Sequence, residues 1–93
     1  MSLHISDSVI WQESEDGVSL YNMDNGDFLS LNGTGAQIWL LVASDGGREP
    51  VISKLILRYA GSNQVLGEKI RTDVEQFINS MVQGGMLVEG VAA

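Results

Sequence analysis

An α+β domain is predicted, with strands ahead of helices, and three observations carry that prediction. The opening third of the chain holds short apolar runs broken by Gly17 and by Asn25-Gly26, which is strand and turn punctuation. The remainder repeats apolar residues at three-to-four spacing, the period of an amphipathic helix. Finally, 93 residues with 44% hydrophobic content suffice for one core and leave nothing for a second. One domain over 1–93 is expected, its core running from about 7 to 88.

Met1 to Asp7 is expected to be a mobile lead-in. Ser8-Val9-Ile10-Trp11 reads as a short strand, ended by the polar Glu13-Ser14-Glu15-Asp16-Gly17. Val18 to Met23 and Asp27 to Leu31 flank Asp24-Asn25-Gly26, and Asn-Gly is the strongest short-range signal for a two-residue type I′ hairpin. With Asn25 and Gly26 as the loop, Asp24 faces Asp27, Met23 faces Phe28, Asn22 faces Leu29, Tyr21 faces Ser30 and Leu20 faces Leu31. Side-chain alternation then puts Leu20, Leu29 and Leu31 on one face and Tyr21, Met23 and Phe28 on the other. Hydrogen-bonded pairs alternate as well. Asp27, Leu29 and Leu31 bond inward, and Phe28 and Ser30 aim their N–H and C=O groups at the next strand or an open edge.

Thr34 opens the first helix, with Gln37 completing a capping-box pattern, and Asn32 is the alternative cap one turn earlier. Ile38, Trp39, Leu41 and Val42 form its apolar face. Asp45-Gly46-Gly47 ends it, and Pro50 stands where a first-turn proline is tolerated. Val51, Ile52, Leu55, Ile56 and Tyr59 continue as a second helix through Ala60, stopped by Gly61. Leu66, Ile70, Val74, Phe77, Ile78, Met81 and Val82 give a third helix to about Gln83, capped by Gly84-Gly85, and Met86-Leu87-Val88 suits a brief closing strand.

Composition removes whole classes of function. Without cysteine there is no disulfide, zinc-thiolate site, iron-sulfur cluster or thiol nucleophile, which fits a reducing cytoplasm. No cationic patch followed by an apolar run marks a signal peptide, and no stretch approaches a membrane span. Twelve acidic against five basic side chains give a net charge of −7, which repels phosphate backbones and anionic lipid. Strands leading into three helices suit a winged helix-turn-helix DNA reader, but Lys69 and Arg71 beside Glu68, Asp73 and Glu75 are too few cations to anchor a duplex. No nucleic acid or membrane partner is expected.

Nothing in the chain assembles into catalysis. His4, the sole histidine, has no second residue of a metal pattern nearby. Asp24-Asn25-Gly26-Asp27 lacks the alternating ligands and closing glutamate of a calcium loop, and the hairpin accounts for the same residues. Gly33-Thr34-Gly35 precedes a helix without a P-loop lysine or G-x-G-x-x-G spacing, so a tight strand-to-helix connection explains it better than a phosphate cradle. Glu13, Glu15, Asp16, Asp73 and Glu75 read as solvated surface charge, and no hydroxyl has a base to activate it.

Val18-x-Leu20, Gly26-Asp27-Phe28-x-x-Leu31-Asn32, Thr34-Gly35-Ala36-x-Ile38-Trp39, Tyr59, Asp73-Val74-x-x-Phe77-Ile78 and Gly85-Met86-Leu87 follow one another over about Val18 to Leu87. In order and spacing these pieces resemble PqqD-like proteins, the recognition elements of ribosomally made, modified peptide pathways. The resemblance implies a compact winged helix-turn-helix-like domain, a three-stranded antiparallel sheet followed by three helices, without catalytic residues or cofactor. It also implies capture of a precursor's leader segment as an added strand beside the third strand, in a cleft walled by the third helix, and delivery to a modifying enzyme.

On that expectation the peptide-binding residues are Phe28, Leu29, Ser30 and Leu31 on the strand and Lys69, Ile70, Arg71, Val74, Phe77 and Ile78 on the helix. An incoming strand would satisfy the outward groups of Phe28 and Ser30. Apolar pockets between Leu29 or Leu31 and the third helix would select side chains, and Lys69 and Arg71 would meet leader carboxylates. Asn25-Gly26-Asp27-Phe28 and Leu31-Asn32-x-Thr34-Gly35-Ala36 resemble the stand-alone leader-binding proteins of lasso-peptide clusters, whose partner is a leader protease or cyclase. The Tyr-Pro-Glu-Gly type segment of the pyrroloquinoline quinone branch is missing at Asn22 to Gly26, and Glu49-Pro50 replaces the usual hydroxyl residue opening the second helix. A quinone-pathway peptide chaperone, a small DNA-binding regulator and a homodimer formed through the third-strand edge are the alternatives.

Overall fold

The computed structural model describes residues 2–90. In chain order it holds β1 Ser2–Ile5, β2 Val9–Ser14, β3 Gly17–Asn22, β4 Phe28–Leu31, α1 Gly33–Asp45, α2 Arg48–Tyr59, α3 Gln64–Gln83 and β5 Leu87–Gly90. β2, β3 and β4 form a three-stranded antiparallel sheet in that order, and β1 pairs with β5 in a separate two-stranded sheet. The result is an α+β domain of winged helix-turn-helix-like form. Its core joins Val18 and Leu20 of β3 to Trp39 and Val42 of α1, Ile52 and Leu55 of α2, and Val74 and Ile78 of α3. Trp11 meets Trp39 edge-to-face at 6.1 Å and 77°, fastening the sheet to α1.

The N-terminal segment is not a loose lead-in. Leu3 is 1% exposed, its N–H donates to the Gly46 carbonyl at 2.9 Å, and His4 stands opposite Val88 in the β1–β5 ladder. The core therefore begins before residue 7. Four residues without a sequence-local partner give little periodicity, and the pairing strand lies at the far end of the chain.

The hairpin register differs from the two-residue turn. Asn22 N–H donates to the Asp27 carbonyl at 2.9 Å and Gly26 N–H to the Asn22 carbonyl at 2.8 Å, so Met23 to Gly26 form the loop and Leu20 faces Leu29. A type I′ turn needs positive φ at both central residues, and only Gly26, at 76°, has it. Side-chain bonds hold the longer loop instead: Asn22 Oδ1 accepts from Asp24 N–H at 2.8 Å and Asn25 Oδ1 from Asp27 N–H at 2.9 Å. The slip is an even number of residues, so every side chain keeps its face. Hydrogen-bond parity is kept too.

Asn22 is the one buried polar residue of this region, 3% exposed, and its Nδ2 donates to the Gly85 carbonyl at 3.0 Å across to the α3–β5 turn. Asn22→Ala is expected to cost about 1–3 kcal/mol, since it removes a buried, hydrogen-bonded amide and leaves the half-buried Gly85 carbonyl and the Asp24 N–H without their partners. Urea unfolding measures it.

Helix α1 starts at Gly33 with Asn32 as its extended N-cap, so Thr34 lies inside the first turn. The Thr34–Gln37 capping box does not form, because Asn32 rather than Thr34 is the N-cap; Gln37 Oε1 instead accepts from Tyr59 Oη at 2.7 Å across to α2. Gly46 ends the helix in the left-handed conformation at φ 70°. α2 stops at Tyr59, and Asn63 caps α3 by accepting from Leu66 N–H at 3.0 Å.

Arg48 at the start of α2 clasps Glu89 of β5, one bond from Nη2 to Oε1 at 2.9 Å, and also donates to Asn79 of α3 at 2.7 Å. That hydrogen-bonded guanidinium holds the Glu89 carboxyl below its ordinary value. A depressed folded-state value stabilises the fold above the unfolded value of 4.5, and the contribution fades as pH falls through the folded one. Glu89→Gln should therefore flatten the acid limb of a stability–pH profile below about pH 5 while lowering stability at neutral pH.

Candidate peptide-binding edge and cleft

β4 is an edge strand, and its ladder to β3 fixes which of its backbone groups are free. The Asn22–Asp27 bond closes the hairpin, so alternation puts Leu29 opposite Leu20 and Leu31 opposite Val18 as hydrogen-bonded pairs. Phe28 and Ser30 then present their N–H and C=O groups away from β3. Among the described residues no strand covers that side. Edge strands are commonly blunted by Lys, Pro or bulges, and β4 carries none of these.

The side chains divide by face. Leu29 and Leu31 are half-buried on the helix side, while Ser30 and Phe28, the latter 66% exposed, lie on the outer side. Next to the inner face is a cleft of about 440 Å³ lined by Thr34, Gly35 and Ile38 of α1, Leu55 and Tyr59 of α2, and Leu66, Ile70, Asp73, Val74 and Phe77 of α3. A Cβ at Gly35 would stand 3.3 Å from Phe77 Cε2 and 3.8 Å from Leu31 Cδ2, so the end of β4, the start of α1 and the middle of α3 converge there. An extended segment on the β4 edge would project alternate side chains toward this apolar cleft.

Of the residues expected from sequence, Phe28 and Ser30 lie on the edge, Leu29 and Leu31 face inward, and Ile70, Val74 and Phe77 line the cleft. Ile78 is completely buried in the core behind them. Arg71 lies about 100° round α3 from Ile70, which turns it away. It pairs with Glu49 of α2 at 2.8 Å and helps line a different concavity with Ile56 and Gly67. Lys69 is exposed and outside the lining.

Sequence reasoning missed Thr34, Gly35, Ile38, Leu55, Tyr59, Leu66 and Asp73. Leu66 and Asp73 carried a signal, since with Ile70 and Phe77 they extend one helical stripe past what the core consumes; Leu66 is 38% exposed. The α1 and α2 residues reach the cleft only through tertiary packing. No helix among the described residues is long and apolar enough to cross a membrane, and none of their His, Asp or Glu side chains gather in threes to hold a metal ion.

Fold and site together define a small winged-helix-like domain with an unpaired strand edge beside an apolar cleft. The chain belongs to the PqqD family: the model for coenzyme PQQ synthesis protein D matches residues 17–87. Its fold is shared with TbiB1, solved in complex with the TbiA(beta) leader peptide, at a TM-score of 0.80 and 23% identity over 97% of this chain and 99% of that one. A lasso peptide synthetase B1, solved in complex with a leader peptide, gives 0.78 and 17% over 96% and 100%. No curated protein matches the chain.

Proposed function

We propose that this protein is a non-catalytic adaptor. It binds the leader segment of a ribosomally made precursor peptide by strand addition to β4 and presents it to a modifying enzyme, the leader protease of a lasso-peptide pathway. The observation that carries the reading is the open β4 edge, with Phe28 and Ser30 facing outward beside an apolar cleft. Main-chain groups supply affinity that any peptide would obtain, and pockets for alternate side chains supply the choice among peptides. Kinship with the two B1 proteins favours a lasso pathway over the quinone branch.

Fluorescence anisotropy with a labelled lasso-precursor leader tests this. Saturable binding by the leader and none by duplex DNA at low salt is the expected result. The reading fails if the leader does not bind, or if DNA does. Sedimentation at rising protein concentration checks whether a second copy occupies the same edge.

A further inference from the structure

We propose that the peptide taken by this cleft carries a basic side chain, Lys or Arg, that reaches Asp73 from among apolar anchors; this rests on the peptide-binding reading above. Asp73 is the one ionisable acid or base in the lining apart from the Tyr59 phenol, whose Oη already donates to Gln37. Asp45, Glu49, Glu75 and Glu89 each have an Arg or Lys in ion-pair range. Among the described residues Asp73 has no such partner, nor does Lys69 one turn before it. Of the two cations expected from sequence to meet leader carboxylates, Arg71 faces α2 in its pair with Glu49, and Lys69 is exposed outside the cleft lining. The charge offered to a bound peptide is therefore negative.

The field around the edge has the same sign. Residues 1–47 hold no Lys or Arg but do hold Asp7, Glu13, Glu15, Asp16, Asp24, Asp27 and Asp45. All the cations lie on α2 and α3. A peptide approaching β4 thus meets an anionic surface, which speeds encounter with a basic segment and repels an acidic one.

Desolvation sharpens the choice. A wholly apolar occupant would strip water from the Asp73 carboxylate and return no hydrogen bond, which penalises it. A Lys or Arg stem can lie along Leu66 and Ile70 and bring its charged head to the carboxylate. Selection then comes from attraction to one class of peptide and a penalty on the others.

The experiment selects a phage-displayed library of random peptides on the intact chain, on Asp73→Asn and on Asp73→Lys. Asp73 is exposed, so both variants should fold. The unaltered chain should enrich peptides with alternating apolar anchors and a Lys or Arg at a fixed offset. Asp73→Asn should keep the anchors and lose the basic preference, and Asp73→Lys should turn it to Asp or Glu. A synthesised basic binder should weaken roughly three- to tenfold on Asp73→Asn. Equal basic enrichment on all three proteins, or none on the unaltered chain, overturns the charge selection alone. If no peptide is retained, or retained peptides bind Ser30→Pro unchanged, the edge-binding reading fails and the charge selection falls with it.

Discussion

Replacing Ser30 by proline is expected to weaken leader binding by roughly ten- to a hundredfold while leaving the fold within about 1 kcal/mol of the original. Ser30 faces Ser19 at a non-hydrogen-bonded position of the β3–β4 ladder, so its N–H gives nothing to the hairpin. Proline removes that donor and puts ring carbons where an added strand would approach. Within sheets, proline is accepted where its missing N–H would have faced solvent. Leu29→Pro is the control. Its N–H belongs to the pair with Leu20, which is completely buried, and losing that bond strands a buried carbonyl at about 1–3 kcal/mol before any ring clash. Anisotropy and urea unfolding on both variants separate edge from ladder. A folded Ser30→Pro protein with undiminished affinity would place the peptide elsewhere.

That prediction survives an error in the turn, which says something about what the sequence encodes. The facing of Leu29 and Ser30 depends on the parity of the register, set by alternation of apolar and polar residues along β3 and β4. A slip that preserves the buried set must be even. The loop length depends on side-chain bonds of Asn22 and Asn25 and on a tie to Gly85, far along the chain. Asn-Gly statistics contain no such information. The helices were legible because the stripes of α1, α2 and α3 are local patterns. β1 was not, because Leu3 is defined by its packing beneath Gly46 and its strand's pairing with β5.

The cleft shows the same division. Ile70, Val74 and Phe77 follow from helical spacing on α3. Whether a residue on that stripe points into the core, the cleft or the neighbouring helix turns on about 100° of rotation and on where α2 lies. Ile78, Phe77 and Arg71 illustrate the three outcomes: complete burial, cleft wall, and an ion pair to Glu49. For that reason Arg71 leaves the cleft wall while Asp73 joins it.

Gly17→Ala is expected to destabilise the protein by more than about 3 kcal/mol and to take peptide binding with it. Gly17 closes the β2–β3 turn opposite Ser14 at φ 144°, a region that side-chain-bearing residues scarcely enter. A Cβ there would lie 1.9 Å from the Leu31 carbonyl oxygen and 3.1 Å from the Asn32 Cα. Both neighbours are backbone, so no rotamer relieves the overlap and the end of β4 must move. β4 is only four residues long, and at that end it feeds the Asn32 cap of α1. Pushing it outward separates Val18 from Leu31, opens the buried Val18 and Leu20 to water, and shifts the corner where Leu31, Gly35 and Phe77 meet. Edge and cleft should therefore be lost together. Urea unfolding of the alanine variant, with anisotropy on whatever fraction remains folded, tests this. A Gly17→Ala protein of unchanged midpoint would mean that β4 is held less closely to β3 than this packing requires.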